Sequence, residues 1–311
     1  MKTVLSSVLI VLTASLWAGM ASAQLTAGDA FASTLLRDVS KLKLASANVL
    51  VFDTSNGQPI YAKGADAVTP IASVTKLMTA MVVLDEAQSL DESVSVSIAD
   101  LDLLKGSHSR LRLGTELSRR DMLRIALMAS ENRAASSLAR HYPGGTDAFV
   151  QAMNQKAQSL GMVNTRFADS TGLSSENVST ANDLARMVQA AATYPLIREF
   201  TTTPSHYVEL QPSGQLLGFN NTNSLVKSGA WDIQVSKTGF IREAGKCLVM
   251  LVNIASRPVV IVLLDSLGRL TRIGDANRVK YWLETGEAMP QPASVRSSPR
   301  AKHGRATARR A

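Results

Sequence analysis

Two polar side chains near the start of the 311-residue chain have the types needed for covalent acyl chemistry. Ser73 and Lys76 stand three apart in Pro70-Ile71-Ala72-Ser73-Val74-Thr75-Lys76, just ahead of a strongly apolar run. A serine hydroxyl is a poor nucleophile until a neighbouring base takes its proton. A lysine can do this when burial and nearby cations lower its pKa towards neutrality. Residues three apart on a helix share a face, so Lys76 can reach the Ser73 hydroxyl. A helix N-terminus also offers free backbone N–H groups to a developing oxyanion. Taken alone, Ser73 reads equally well as an ordinary helix cap.

The same spacing recurs at Ser40/Lys43 and Ser224/Lys227, so only context ranks Ser73 first. Ser130-Glu131-Asn132 supplies a hydroxyl that can relay a proton to a leaving amine and an amide that can hold a substrate backbone. Ser-x-Asn recurs too, at Ser46/Asn48 and Ser175/Asn177, and a turn cap is the plain alternative. Lys237-Thr238-Gly239 is the single Lys-Thr-Gly of the chain. It combines a charge, a hydroxyl and room for a ligand strand to approach closely. The three groups come in this order, 57 and then 107 residues apart. Together they form the joint signature of class A β-lactamases and penicillin-binding proteins.

These residues need a helix start, a loop and a strand. An apolar strand is expected at 48–52, with an Asn56-Gly57 turn and a returning strand at 59–62. A buried helix is expected at 75–85. Residues 91–192 read as mainly helical. Ser118 and Asp121 resemble a capping box before 122–128. Further helices are expected at 148–160 and, opened by the stretch 179–184, up to a stop near Tyr194-Pro195. The last third reads as strands at 232–240, 246–255 and 259–265, then a helix at 270–284. Sheet segments from both ends of the chain most simply form one antiparallel sheet. The expectation is therefore an α/β (α+β) fold: about five antiparallel strands flanked by helices, an inserted helical lobe at about 90–195, and a site in the cleft between them.

The chain resembles the low-molecular-mass penicillin-binding proteins, the serine D-alanyl-D-alanine peptidases, and most of all their endopeptidase branch. The stretches that carry the likeness are TPIASVTKLMTAMVVLD, SRLRLGTELSRRDMLRIALMASENRAASSLARHYPGG, MNQKAQSLGMVNTRFADSTGLS and KTGFIREAGKCLVML. The likeness extends over about 46–290. It implies a β-lactamase/transpeptidase-like fold with Ser73 as acyl-forming nucleophile and Lys76 as its base. Ser130 would shuttle the proton, and Asn132 would contact the peptide backbone. Lys237, Thr238 and Gly239 would engage the substrate near the cleaved bond. The backbone N–H groups of Ser73 and Phe240 would form the oxyanion hole. Glu131 replaces the usual aspartate at a position whose side chain the scheme does not use. No step calls for a metal or another cofactor.

The resemblance implies cleavage of D-alanyl peptide cross-links of peptidoglycan, with β-lactams as covalent inhibitors. A carboxypeptidase is the alternative; its relatives usually carry an extra β-rich domain and an amphipathic anchor helix. Only 74 residues follow Lys237, and the last two dozen form a tail, so neither is expected. A β-lactamase is a second alternative, but class A enzymes need a glutamate to activate water. The corresponding stretch, Ala168-Asp169-Ser170-Thr171-Gly172-Leu173, has none. A non-catalytic cell-wall scaffold is the reading from another class, and three intact motifs speak against it.

Composition sets the remaining bounds. Hydrophobic residues make up 45% and charged residues 19%, a globular balance with ample core. Lys2, the apolar run 4–17 and Ala21-Ser22-Ala23 read as a secretory signal over 1–23, which places the mature protein in the periplasm. An uncleaved anchor is the weaker reading, since the run falls short of the ~20 residues a span needs. The peptidase domain is then expected at 24–287. Residues 288–311 hold six basic residues and no acid; subtracting these six and Lys2 from the net charge of +8 leaves +1. The basicity belongs to a tail whose composition reads as disordered. Contact with an anionic surface and a solubilising end are both open, the second being simpler. Nothing points to nucleic acid. Cys247 is the single cysteine, lies in an apolar run, and reads as a buried structural thiol.

Overall fold

The computed structural model describes residues 38–290 apart from 103 and 104. The expected signal segment and nearly all of the basic tail lie outside the described residues. Strand β1 (Asn48–Asp53) turns through Gly57, at φ +70°, into β2 (Gln58–Lys63). A positive φ is cheap only for glycine, which is why Asn-Gly marks the turn. Three short pairings follow along the chain: β3 (Thr69–Pro70) with β6 (Val178–Ser179), β4 (Ser93–Ser95) with β5 (Glu116–Ser118), and β7 (Ser205–Leu210) with β8 (Gln215–Asn220). The long strands β9 (Asp232–Ile241), β10 (Gly245–Ile254) and β11 (Arg257–Ser266) complete a five-stranded sheet ordered β2-β1-β11-β10-β9. Every neighbouring pair is antiparallel, as expected.

The inner strands β1, β11 and β10 are buried on both faces because alternate side chains enter different cores. Leu50, Val249, Val260 and Val262 join the core shared with the helical part. Val49, Leu248, Met250 and Ile261 point the other way, against Ala276, Val279 and Trp282. Those three belong to the last helix described below. Strands covered on both sides read as continuous apolar runs, which is how β10 and β11 appear in the sequence.

Helix α1 (Lys76–Asp85) is buried from Lys76 to Val83. It is followed by α2 (Arg119–Met128), α3 (Asn132–Arg140), α4 (Gly145–Ser159), α5 (Ala181–Ala191), α6 (Pro195–Thr202), α7 (Ser224–Lys227) and α8 (Thr271–Thr285). None of the described helices is long and apolar enough to cross a membrane.

Several local expectations need correction. A 3₁₀ turn, Ala72–Thr75, precedes α1, so Ser73 lies in that turn and the α-helix begins at Lys76. Helix α4 starts at Gly145, behind a left-handed Gly144, earlier than position 148. The expected capping box at Ser118 is half formed. Its hydroxyl accepts from the Asp121 N–H but donates to the Asp121 carboxylate, which therefore binds the side chain rather than the backbone. Pro195 opens α6 as well as ending the preceding segment, since proline fits the first helical position, where no N–H is needed. The β7–β8 hairpin lies in a stretch where the apolar pattern signals no element.

Candidate active site

A cavity of about 760 Å³ opens between the sheet edge at β9 and the helical part. Ser73, Ser130, Asn132, Thr238, Gly239 and Phe240 line it, together with Ser107, Thr222, Lys105, Glu243 and Arg272. The sequence-selected residues thus converge from a turn, a loop and a strand. The other two Ser-x-x-Lys pairs lie outside this cavity.

Ser73 reaches the cavity through an unusual backbone. Ala72, just before it, has φ +49° and is fully buried. Two glycines make room for this turn. A Cβ on Gly172, itself at φ +80°, would lie 2.0 Å from the Ala72 carbonyl oxygen. A Cβ on Gly239 would lie 2.9 Å from the Ile71 oxygen and 3.2 Å from the Ser73 nitrogen. The Lys-Thr-Gly glycine is therefore required by the backbone that leads into Ser73. This adds to the expected reason, space for a ligand.

Lys76 is 1% exposed, and its Nζ lies 3.0 Å from Ser73 Oγ. The same nitrogen donates to Asn132 Oδ1 at 2.7 Å and to the Thr171 carbonyl oxygen at 2.6 Å. Burial brings its pKa down to about 7, while the Asp169 and Glu131 carboxylates pull the other way. The sequence reading expected cations to assist the lowering; burial is the cause that lowers it, and the Asp169 and Glu131 carboxylates oppose it.

Ser130 sits between α2 and α3 at φ +60°. Glu131 caps α3 by accepting from the Arg133 N–H. The middle residue of Ser-Glu-Asn thus has two tasks, capping and charge, where the sequence reading gave it none. Asn132 donates Nδ2 to Ser107 Oγ at 3.0 Å.

Lys237 approaches Ser130 from β9. Its Nζ donates to Ser130 Oγ at 2.9 Å and to the Thr238 carbonyl at 2.9 Å. Burial, then the positive charges of Lys76 and Arg272, push its pKa well below the usual lysine range. Thr238 Oγ1 lies 2.6 Å from Thr222 Oγ1. Arg272, in the first turn of α8, has two buried nitrogens, Nε and Nη1, that meet no hydrogen-bond acceptor among the described residues. Cys247 is buried on β10 with its thiol pKa pushed up to about 11, which suits a structural role.

Sequence reasoning missed Asp169, Thr171, Ser107, Thr222 and Arg272. Thr171 contributes a backbone oxygen, which leaves no side-chain signature. Arg272 reads as an ordinary helix-surface cation until the fold turns it inward.

Comparison with known proteins adds three kinds of finding. A family model described as D-alanyl-D-alanine carboxypeptidase matches residues 36–268. The chain is 51% identical to a D-alanyl-D-alanine endopeptidase of Pseudomonas aeruginosa over 255 residues, 82% of each protein. It is 50% identical to the Escherichia coli protein of the same name over 258 residues, 83% of each. Among solved structures, penicillin-binding protein D2 of Listeria monocytogenes in its cefotaxime-bound form is similar, at a TM-score of 0.69 and 29% identity. That alignment covers 78% of this chain and 98% of the other.

Proposed function

Because the chain belongs to the D-alanyl-D-alanine carboxypeptidase family of serine peptidases, we propose that it cleaves D-alanyl peptide cross-links of peptidoglycan through an acyl-enzyme on Ser73. It is a serine hydrolase acting on D-alanyl-D-alanine peptides. The observation that carries the reading is the hydrogen-bonding of Lys76. A neutral lysine amine has two N–H donors and one lone pair. Asn132 Oδ1 and the Thr171 carbonyl take the two donors. The lone pair is left for the Ser73 hydroxyl, 3.0 Å away.

In the reaction, Ser73 Oγ attacks the D-alanyl carbonyl carbon while its proton passes to Lys76. The oxyanion is received by the backbone N–H groups of Ser73 and Phe240. Ser130 gives its proton to the leaving amine as the C–N bond breaks, and the proton that Lys76 took from Ser73 passes on to Ser130, so Lys76 is neutral again; Lys237 donates a hydrogen bond to Ser130 Oγ and steadies it. Asn132 and Thr238 hold the peptide. Water then adds to the ester, the Ser73–carbonyl bond breaks, and a carboxylate leaves. A β-lactam opens by the same attack and stays on Ser73. Residues 1–23 would direct the protein to the periplasm, residues 24–287 would form the peptidase domain, and the tail from 288 would follow it.

Cross-linked dimeric muropeptides and monomeric pentapeptides, each incubated with purified protein, test the substrate. Conversion of dimer to monomers is expected. Release of free D-alanine from pentapeptide with dimers untouched would replace the endopeptidase with a carboxypeptidase. Loss of fluorescent-penicillin labelling in Ser73→Ala is the companion check on the nucleophile.

A further inference from the structure

The Thr171 carbonyl that orients Lys76 belongs to a loop whose shape depends on one carboxylate. Asp169 Oδ1 accepts the backbone N–H of Thr171 at 2.5 Å, that of Gly172 at 2.6 Å, and the Thr171 hydroxyl at 2.8 Å. Its Oδ2 accepts the Ser174 N–H at 2.8 Å. Oδ1 thus gathers three of the four hydrogens and Oδ2 the fourth, so both carboxylate oxygens hold the loop. The loop is also tied to the nucleophile's side of the cleft. Asn177 Oδ1 accepts from the N–H groups of Ala168 and Asp169, and its Nδ2 donates to Thr75 Oγ1.

Folded this way, three successive residues meet the Ser73 segment. The Ser170 carbonyl accepts from Thr79 Oγ1 at 2.6 Å. The Thr171 carbonyl accepts from Lys76 Nζ at 2.6 Å. Gly172 packs on the Ala72 carbonyl, where a Cβ would be 2.0 Å away.

We propose that Asp169 is a positioning residue for acylation: by gathering four hydrogens of the 169–174 loop, it holds the Thr171 carbonyl on Lys76 and keeps the amine lone pair on Ser73. This rests on the reading of Ser73 as nucleophile and Lys76 as base.

The charged groups facing Lys76 are Asp169 on this loop, Glu131 before α3, and Lys237 on β9 with Arg272 behind it. Asp169 favours the ammonium form. Removing its charge therefore moves the acid limb of acylation to lower pH, because the active, neutral lysine then persists further into acid.

The test is the acylation rate with a fluorescent penicillin across neutral pH, in wild type, Asp169→Asn and Asp169→Glu. Asparagine must aim an N–H₂ at one of the loop's own N–H donors. Its acylation rate is expected to fall, by up to about a hundredfold for a base displaced by ~1 Å, with the acid limb shifted to lower pH. Glutamate keeps the charge but displaces the oxygens by one methylene. Its rate should fall with the limb unmoved. A slower Asp169→Asn enzyme with an unshifted limb would make Asp169 a merely structural residue and overturn the proposal. Wild-type rate and limb in Asp169→Asn would also overturn it. If that variant does not fold, a folded Asp169→Glu enzyme acylating at the wild-type rate would do the same. Ser73→Ala separates the two layers. Labelling that survives there defeats the nucleophile assignment, whereas a silent Ser73→Ala beside an unaffected Asp169→Asn defeats only the positioning role.

Discussion

The cleft has two walls, and each buries a lysine to 1% exposure. On the helical wall, Lys76 is surrounded by acceptors, and the Asp169 and Glu131 carboxylates stand near it. On the sheet wall, Lys237 has one hydroxyl and one carbonyl, and the charges near it are the cations Lys76 and Arg272. Both lysines lose affinity for a proton through burial, because desolvation disfavours the charged form. Their neighbours then separate them. The helical wall carries its own counter-charge and, in the proposed mechanism, is an acid–base device complete within the protein. The sheet wall gathers positive charge around Lys237, and two guanidinium nitrogens of Arg272 are left without acceptors among the described residues. We read it as a wall that a substrate carboxylate completes.

The largest effect should come from breaking the helical wall. Lys76→Ala removes the base and leaves the Asn132 amide and the Thr171 carbonyl without their shared donor. Acylation of Ser73 by a penicillin is expected to fall by about 10²–10⁴-fold, the usual weight of a positioned proton acceptor. Rapid-quench labelling measures it. A loss of less than tenfold would mean that the base lies on the other wall.

Acidity offers the next test. In the proposed mechanism Lys76 works only when neutral, and burial brings its pKa down to about 7. Wild-type acylation should rise with pH up to about 7 and flatten above it. Well below that value the rate should drop roughly tenfold for each pH unit. A profile flat through neutrality would remove the distinction between a titrating helical wall and a ligand-completed sheet wall.

How much of this contrast was legible in the sequence follows from what each wall is made of. The roles proposed for Ser73, Lys76, Ser130 and Lys237 rest on side chains whose identities announce the chemistry, and their order along the chain ranked them above chance matches. The sheet was legible because β10 and β11, buried on both faces, are continuous apolar runs. Thr171 was not legible because any residue type supplies a carbonyl. Asp169 drew notice only for not being a glutamate; its four hydrogen bonds exist only once the loop has closed around it. Arg272 was hidden because α8 starts with polar residues that read as solvent-facing. Helix α6 was missed because Pro195 reads as a stop, although proline serves equally well as a start.

Arg272→Leu addresses the sheet wall directly. A charged hydrogen bond to a ligand carboxylate contributes about 1.5–3 kcal/mol, so its loss should lower kcat/KM by roughly 10- to 150-fold. The loss should be confined to substrates with a free carboxylate beside the cleaved bond. Peptides amidated at that carboxylate should be poor substrates for the wild type and no worse for the variant. Equal losses on both kinds of peptide would show that Arg272 supports the fold or Lys237 rather than the ligand.

The smallest effect is expected at the seam between the walls. Thr222 touches Thr238 Oγ1 through its hydroxyl, while its backbone N–H is held by the Met128 carbonyl at the end of α2. Thr222→Val removes the hydroxyl and leaves the backbone tie in place. Thr222 is exposed, so water can replace its oxygen beside Thr238. The net worth of such a neutral hydrogen bond is about 0.5–1.5 kcal/mol, and replacement by water keeps the effect at the lower end. Acylation should slow by roughly two- to fivefold, with its pH profile unchanged, because no charge near Lys76 has moved. Stopped-flow acylation of the valine variant measures this. A loss near a hundredfold would mean that the Thr222–Thr238 pair itself carries a proton during acylation. The sheet wall would then hold acid–base machinery of its own, and the division of labour between the two lysines would fail.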